Sequence, residues 1–232
     1  MSGPAQPAVP GMTGHHDVIA GGRFLRVVNY HNTPRSTADA VHRELTAYRR
    51  RFDPVTLPEL DTFFATGRWS SDRPGLLPVF YEGYRNSIQV AAPACDDTGF
   101  TGWFPVCTGF LSCPPAEQEM FARSHFIELV AEELDGRRLA MNLDEVGELA
   151  QRHQVFPHTA THAGIADVLT EQDLEREIAE PKRILDELTG GGAAVFVWML
   201  GTPWGGHPRH DRAICDAGYR YVLSNTMIQR IR

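Results

Sequence analysis

Apolar and polar positions along the chain predict an alternation of strands and helices. Short β-branched or aromatic runs, typical of buried strands, occupy 24–30, 76–84, 101–111, 155–157, 193–200 and 220–225. Apolar residues at helical spacing predict helices over 36–51, 57–66, 86–99, 115–135, 143–153, 170–192 and 210–219. Ser36 and Thr170 are predicted N-caps, Gly99 is the predicted end of a third helix, and Pro181 is expected to kink its helix.

This order of elements predicts one α/β domain. Strands that are apolar throughout are typical of parallel sheets covered by helices. A chain of 232 residues suits a single distorted (β/α) barrel, in which functional side chains lie at the carboxyl ends of the strands. Polar stretches at 31, 81–85, 158–162 and 202–210 each follow a predicted strand. We assign 23–232 to the barrel domain and 1–22, rich in Pro, Gly and Ala, to a flexible N-terminal arm.

Composition and charge exclude several classes of partner. The net charge is −7, so neither a nucleic acid nor an anionic membrane surface is an expected partner. The four cysteines form no CxxC pair, which argues against a zinc knuckle or a redox motif. The N-terminal residues do not read as a signal peptide, and no apolar run is long enough for a membrane span, so a cytoplasmic protein is expected. No oligomeric state follows from the sequence.

Three residues in two of the polar stretches could share one metal ion. Glu82 ends the run PVFYE, and His158 and His162 lie four residues apart in PHTATH. Two neutral imidazoles and a carboxylate suit zinc or another divalent ion and leave positions open for water and substrate. Such an ion polarises carbonyls and acidifies water. Because the chain has ten histidines, the spacing alone is equally compatible with ordinary loop histidines.

Four segments of the chain, taken in order, resemble one enzyme family: VVNYHNTP, PVFYEGYRNSIQVAAPACDDTGFTGWFPVCTGFL, HQVFPHTATH and FVWMLGTPWGGHPRHDRAICDAGYRYVLSN. They are similar to the polysaccharide deacetylase family (carbohydrate esterase family 4, the chitooligosaccharide deacetylase homology domain). The first resembles the Tyr-His opening of the branch that deacetylates poly-N-acetylglucosamine, and the third resembles the family's S-H-T-x-T-H motif. The resemblance covers about 24–226. It implies a distorted (β/α) barrel that removes N- or O-acetyl groups with a divalent metal.

The resemblance also implies roles for individual residues, with one departure. In the family the first Asp of an Asp-Asp pair is the general base, and the second binds the metal with two histidines. Here the pair is Tyr81-Glu82, so the implied ligands are Glu82, His158 and His162. Tyr81, with an ordinary phenol pKa near 10, is a poor base at neutral pH but could orient water or stabilise an oxyanion. His31 matches the histidine that the resemblance implies as general acid.

Four further residues are candidates for substrate binding. Tyr84 and Arg85 follow the metal carboxylate. Trp204 stands where the family has an aromatic residue beside the substrate, and His207 follows it in the same loop. Plainer roles remain open for three of them: core packing for Trp204, a structural role for Arg85 and solvent exposure for His207.

Three functions are compatible with these features. The first is a metal-dependent hydrolase, with zinc as the expected ion, that removes an acyl group from an amide or ester of a small sugar-like compound or secondary metabolite. The second is a non-hydrolytic isomerase, lyase or cyclase that reuses the same pocket. The third is a catalytically silent protein that binds a ligand. Retention of all three metal ligands favours the first.

Overall fold

The structure is a computed structural model and describes residues 24–134 and 138–231. The predicted N-terminal arm lies outside these ranges. The strands are β1 (Leu25–Tyr30), β2 (Asp53–Pro54), β3 (Gly75–Phe80), β4 (Trp103–Val106), β5 (Gln154–Pro157), β6 (Val195–Phe196), β7 (Tyr221–Leu223) and β8 (Ile228–Arg230). The α-helices are α1 (Ala38–Arg49), α2 (Leu57–Thr66), α3 (Ala92–Thr98), α4 (Thr108–Ser112), α5 (Gln118–Ser124), α6 (Leu143–Ala150), α7 (Glu171–Leu174), α8 (Glu180–Thr189) and α9 (Pro208–Asp216). The turns Ser87–Ala91 and Glu175–Ala179 are π-helical.

The strands form two sheets that curve around a common interior. The first has the parallel order β1-β3-β4-β5, with β2 paired to the start of β3. In the second, β7 pairs with β6 in parallel and with β8 in the antiparallel sense. Backbone contact between the sheets includes the Val197 N–H, which donates to the Pro157 carbonyl at 3.3 Å. The predicted α/β barrel-type fold is therefore confirmed, although the described strands do not form a closed barrel.

Alternation along β3 shows how the sequence builds two cores. Leu77 and Val79 point inward, where they meet Trp103 of β4 and Tyr221 of β7 in the barrel interior. Their neighbours, such as Phe80, point outward and pack in the separate core cluster under the helices. Successive side chains of a strand face opposite sides of its sheet, so a continuously apolar strand supplies both cores. The carboxyl ends of these strands then converge on one edge of the interior.

Several predicted element boundaries are wrong, and each has a local cause. The strand predicted over 101–111 ends at Val106, because the apolar run continues as the buried helix α4, which periodicity alone cannot distinguish from a strand. The helix predicted over 115–135 is interrupted after Ser124, where Phe126 adopts a φ of 57°. The strand predicted over 193–200 pairs only at Val195–Phe196, because the chain turns at Met199–Gly201.

The predicted helix caps have mixed outcomes. Thr170 caps α7, and its side chain accepts a hydrogen bond from the Asp173 N–H. Gly99 ends α3 in the left-handed conformation. Ser36 is not an N-cap, because it lies in a 3₁₀ turn that precedes α1. Pro181 lies near the start of α8, which follows the π-helical turn Glu175–Ala179. At the position of the predicted kink, the helix therefore changes from π-type to α-type hydrogen bonds.

Candidate metal centre

A sharp turn after β3 places Glu82 at the centre of the site. The Tyr81 N–H still donates to Tyr30 O at 2.9 Å, which continues the pairing of β1 and β3. Glu82 and Gly83 then adopt φ values of 69° and 90°. Hydrogen bonds hold the turn on both sides, since Glu82 O accepts from the Cys107 N–H at 3.2 Å. The Glu82 side chain is buried, with 1% of its surface exposed.

The two histidines of PHTATH are oriented by backbone carbonyls. His158 follows β5 directly, and its Nδ1–H donates to Val197 O at 3.1 Å. His162, with a φ of 60°, donates from Nδ1 to His125 O at 2.7 Å. Because a carbonyl only accepts, both Nδ1 atoms carry the proton, and both Nε2 atoms keep a lone pair in the neutral ring. This arrangement is typical of metal-binding histidines. Burial and the neighbouring His162 lower the pKa of His158, which favours its neutral form.

Glu82, His158 and His162 converge as the predicted ligand set. One ligand atom from each lies within 4.8 Å of the other two, and His162 Nε2 is 3.6 Å from Glu82 Oε1. The second carboxylate oxygen, Glu82 Oε2, is buried without a hydrogen-bond partner. Buried carboxylate oxygens are rarely left unpaired, so the site has a ligand atom that a cation would satisfy. The donor set of two imidazoles and one carboxylate fits zinc or a similar divalent ion.

His31 lies between the metal carboxylate and solvent. Its Nδ1–H donates to Glu82 Oε1 at 2.9 Å, and its ring stacks on Tyr81 with centroids 5.1 Å apart. The hydrogen bond to Glu82 raises the pKa of His31 despite partial burial. Its side chain is exposed. The Glu82 carboxylate therefore lies close to both the candidate ligand His162 and the predicted general acid His31.

Tyr81, which stands where the family has its general base, is a buried phenol. Its hydroxyl donates to Asn29 Oδ1 at 3.1 Å, and its ring packs edge-on against His158 at 5.3 Å. Burial, with a smaller contribution from the Glu82 charge, raises the pKa of the phenol above its ordinary value. The phenol thus stays protonated at neutral pH, and its O–H is directed at Asn29 Oδ1.

A cavity of about 320 Å³ opens above these residues. Its lining includes all five predicted catalytic and metal residues together with six that the sequence analysis missed: Phe126, Glu128, Trp198, Met199, Leu200 and Asn225. Trp198 and Asn225 lie near the ends of predicted strands, so the strand-end rule could have found them. Phe126 and Glu128 fall inside a predicted helix, where no sequence signal marked them.

Two of the four predicted substrate-binding residues point away from this cavity after the turn at Glu82. Tyr84 is buried, donates from its hydroxyl to Glu128 O at 2.7 Å and packs edge-on against Phe110. Arg85 lines a different cavity, where its Nε lies 3.9 Å from Glu145 Oε1. The structure therefore gives both side chains structural surroundings rather than a place at the metal centre.

The other two predicted substrate-binding residues also lie outside the cavity lining. Trp204 packs half-buried against a core cluster, and its backbone N–H donates to Gln229 Oε1 at 2.8 Å. His207 is exposed at the start of α9, where its N–H donates to Asp211 Oδ2 at 3.0 Å. The loop after Met199–Gly201 carries these residues away from the strand ends, which the strand-end rule did not anticipate.

A buried carboxylate from the helical region 171–189 holds the histidine loop in place. Glu177 lies in the π-helical turn Glu175–Ala179 and is fully buried. Its carboxylate accepts hydrogen bonds from the Ala160 N–H at 3.0 Å and from the Thr161 N–H and hydroxyl at 2.9 and 3.0 Å. The guanidinium of Arg176 pairs with it from the solvent side at 2.7 Å. Glu177 thereby fixes the segment between His158 and His162.

The chain has the fold of the polysaccharide deacetylases. Three solved structures share it: a de-N-acetylase from Aggregatibacter actinomycetemcomitans (13% identity, TM-score 0.64, 89% of this chain and 90% of that chain), IcaB from Ammonifex degensii (16%, 0.62, 87% and 83%), and the deacetylase PplD from Streptococcus pyogenes in complex with acetate (14%, 0.62, 84% and 80%). No protein-family model matches the sequence, and no curated protein matches it. The similarity thus confirms the predicted deacetylase-type fold.

Among residues 24–134 and 138–231, no helix has the length and apolar character needed to cross a membrane.

Proposed function

We propose that this protein is a metal-dependent hydrolase of the deacetylase type, which removes an acyl group from an amide or ester. The observation that carries the proposal is the convergence of one ligand atom each from Glu82, His158 and His162 within 4.8 Å of one another. Both rings are held through Nδ1 in the orientation that metal ligands need. Zinc is the proposed ion, and a small sugar-like compound or secondary metabolite in the cytoplasm is the proposed substrate. The names of the structural neighbours, a de-N-acetylase and a deacetylase in complex with acetate, support the reaction class.

Side chains of the protein would carry out the steps that the metal does not. Bound at Glu82, His158 and His162, zinc would supply a Lewis acid that polarises the acyl carbonyl and lowers the pKa of water. His31, held by Glu82 through Nδ1, has its second ring nitrogen available to carry a proton to the leaving amine or alcohol. The Tyr81 oxygen can accept a hydrogen bond from water while its own O–H donates to Asn29 Oδ1. We therefore assign Tyr81 to water orientation rather than to proton abstraction.

Acetate release tests the proposed hydrolysis. The purified full chain is incubated with N-acetylglucosamine oligomers and with acetyl esters, with zinc and after chelation. We expect release that depends on zinc and falls at least about 100-fold in Glu82→Gln, which removes the ligand charge. Glu175→Gln, on an exposed helical position, is the matched control and should be unaffected. Acetate release that persists unchanged after chelation would contradict a metal-dependent reaction.

One observation favours the second candidate, a non-hydrolytic enzyme that uses the same pocket. Tyr81 replaces the family's base with a phenol whose pKa burial raises, so the usual proton acceptor of hydrolysis is missing. Replacement of Tyr81 by Asp distinguishes the candidates. If the protein is a hydrolase slowed by this residue alone, Tyr81→Asp increases acetate release, by up to about 100-fold or more. If acetate release is absent in both proteins although zinc binds, a non-hydrolytic reaction is favoured.

A further inference from the structure

Two apolar side chains at the cavity mouth are exposed and lie on left-handed backbone. Phe126 is 82% exposed with a φ of 57°, and Leu200 is 81% exposed with a φ of 65°. A positive φ is an outlier for a bulky residue, and such strain persists only where the surroundings impose it. Within the described ranges, no other large exposed hydrophobic residue has a positive φ. Both of these residues line the metal-site cavity.

The contacts that impose the strain at Phe126 belong to the metal centre. The carbonyl of the preceding residue, His125, accepts the Nδ1–H of the ligand His162 at 2.7 Å. On the other side, Ile127 is buried and its N–H donates to Ala122 O at 2.9 Å. With both neighbours fixed, the Phe126 ring is held outward at the cavity mouth.

The backbone at Leu200 is fixed in a comparable way. Its carbonyl accepts a hydrogen bond from Asn225 Nδ2 at 3.3 Å. The next residue, Gly201, packs so closely that a Cβ would lie 2.5 Å from Asn225 Oδ1. The same segment begins after Val197, whose carbonyl orients the ligand His158. Each exposed apolar side chain is therefore tied through a few residues to a metal-binding histidine.

The cavity lining indicates what these side chains would contact. Among the described residues that line it, Glu82 and Glu128 are the carboxylates, and none is a lysine or an arginine. An anionic substrate group would thus meet no lysine or arginine, and the one lining histidine with a raised pKa, His31, is already paired with Glu82. The volume of about 320 Å³ lies in the range of pockets that hold small molecules. Charge and shape favour an uncharged apolar group that reaches from the buried ligands to the mouth.

We propose that Phe126 and Leu200 form an apolar clamp for the substrate. The substrate would be an N-acyl or O-acyl compound with an aliphatic or aromatic group, larger than methyl, next to the reacting acyl bond. Closure of the two side chains on that group removes apolar surface from water. The inference rests on the proposed function, because it names the substrate class of the same metal centre.

Two series of hydroxamates test the clamp on the zinc-loaded full chain by isothermal titration calorimetry. Acetyl, butyryl and hexanoyl hydroxamates extend the acyl side, and N-methyl, N-propyl and N-pentyl acetohydroxamates extend the amine side. We expect affinity to rise about threefold per methylene in one series, close to the gain for a largely buried methylene. The series that responds identifies the side of the bond that carries the apolar group. If acetohydroxamate binds but affinity does not rise with chain length in either series, the clamp is overturned, and the proposed metal-dependent function is not affected.

Asparagine variants assign the effect to the two side chains. Asparagine tolerates a positive φ, so Phe126→Asn and Leu200→Asn remove the apolar surface and keep the backbone conformation. In the series that responds, the ratio of longest-chain to shortest-chain affinity should fall at least about threefold in each variant. Leu169→Asn, at a residue that is 70% exposed outside the cavity, should leave this ratio unchanged. An unchanged ratio in both clamp variants contradicts the proposal.

A metal-free arm separates failure of the clamp from failure of the proposed function. If acetohydroxamate does not bind, the metal function fails, and the clamp is then tested with the neutral apolar dye N-phenyl-1-naphthylamine on metal-free protein. Dye fluorescence should increase with wild type and with Leu169→Asn, and at least about threefold less with Phe126→Asn. Equal fluorescence in all three proteins overturns the clamp.

Discussion

Strand β5 has a buried histidine beside each end, and the two are bound in opposite ways. His158, at the carboxyl end, donates from Nδ1 to Val197 O, so its Nε2 keeps a lone pair. His153, at the amino end, accepts the Gly102 N–H on Nδ1 at 3.2 Å, so the proton of its neutral ring is on Nε2. Nε2 lies 3.4 Å from Asp96 Oδ1, within ion-pair range but without a hydrogen bond. Only His158 presents a lone pair that a metal could use.

The comparison shows that burial does not by itself make a histidine a ligand. Burial lowers the pKa of both residues, and both are closed off from solvent. They differ in the backbone partner of Nδ1, which is a carbonyl at the carboxyl end and an N–H at the amino end. In a parallel sheet the carboxyl ends also bring the loops of neighbouring strands together. Glu82 and His162 are thus available to His158 alone.

The largest expected effect comes from matched asparagine substitutions at the two histidines. Asparagine keeps a polar group near the Nδ1 position and removes Nε2. We expect His158→Asn to weaken zinc binding by more than about 100-fold, beyond the effect typical of outer-shell changes. His153→Asn should leave zinc affinity within about twofold, because its Nε2 faces Asp96. Competition with a chromophoric chelator measures the zinc affinity of both variants. Equal losses of zinc affinity would contradict the difference between the histidines at the two ends of β5.

The second-largest expected effect concerns the loop between His158 and His162, which follows the carboxyl end of β5. Glu177→Ala leaves the buried Ala160 N–H and the partly buried Thr161 N–H without their acceptor, which should cost about 3 kcal/mol in the free energy of unfolding. Zinc affinity should fall about tenfold as His158 and His162 lose their fixed spacing. Glu175→Ala is the control in the same turn, with an exposed carboxylate and an expected change within about 0.5 kcal/mol. Urea denaturation measures the free energy of unfolding. Equal losses of stability in both variants would show that Glu177 does not hold the histidine loop in place.

The smallest effect is a pH dependence that originates at the amino end. Burial lowers the pKa of His153 and Arg152 adds to this, while Asp96 acts in the opposite direction. The unfolded chain then binds a proton near pH 6.5 that the folded chain resists, so stability decreases as pH falls below about 6.5. The slope from this residue is at most about 1.4 kcal/mol per pH unit. His153→Asn should reduce the slope measured by denaturation of metal-free protein, and an unchanged slope would contradict the neutral form assigned to His153.

Much of the fold and of the candidate site was predictable because the signals were local. Continuous apolar runs indicated a parallel sheet, and polar residues directly after those runs indicated the edge where the candidate site lies. Glu82, His158 and His162 each satisfy that rule, and the structure brings them together. His31 and Tyr81, selected in the same way, also line the cavity.

The parts of the fold and site that were not predicted depend on backbone conformations that residue type does not indicate. A positive φ at Glu82 reverses the chain, so Tyr84 enters the core although it lies only two residues after a candidate ligand. A positive φ at Phe126 breaks a segment whose apolar spacing is helical, and one at Leu200 ends a strand-like run. These conformations are imposed by tertiary hydrogen bonds such as Asn225 to Leu200 O, which sequence periodicity does not contain.

Whether Glu82, His158 and His162 bind one zinc ion can be tested by anomalous diffraction at the zinc edge, from crystals of the full chain grown with zinc. We expect one strong peak within about 2.0–2.2 Å of a Glu82 carboxylate oxygen, His158 Nε2 and His162 Nε2. A well-ordered site without that peak, or a zinc ion bound through other residues while these three remain apart, would contradict it.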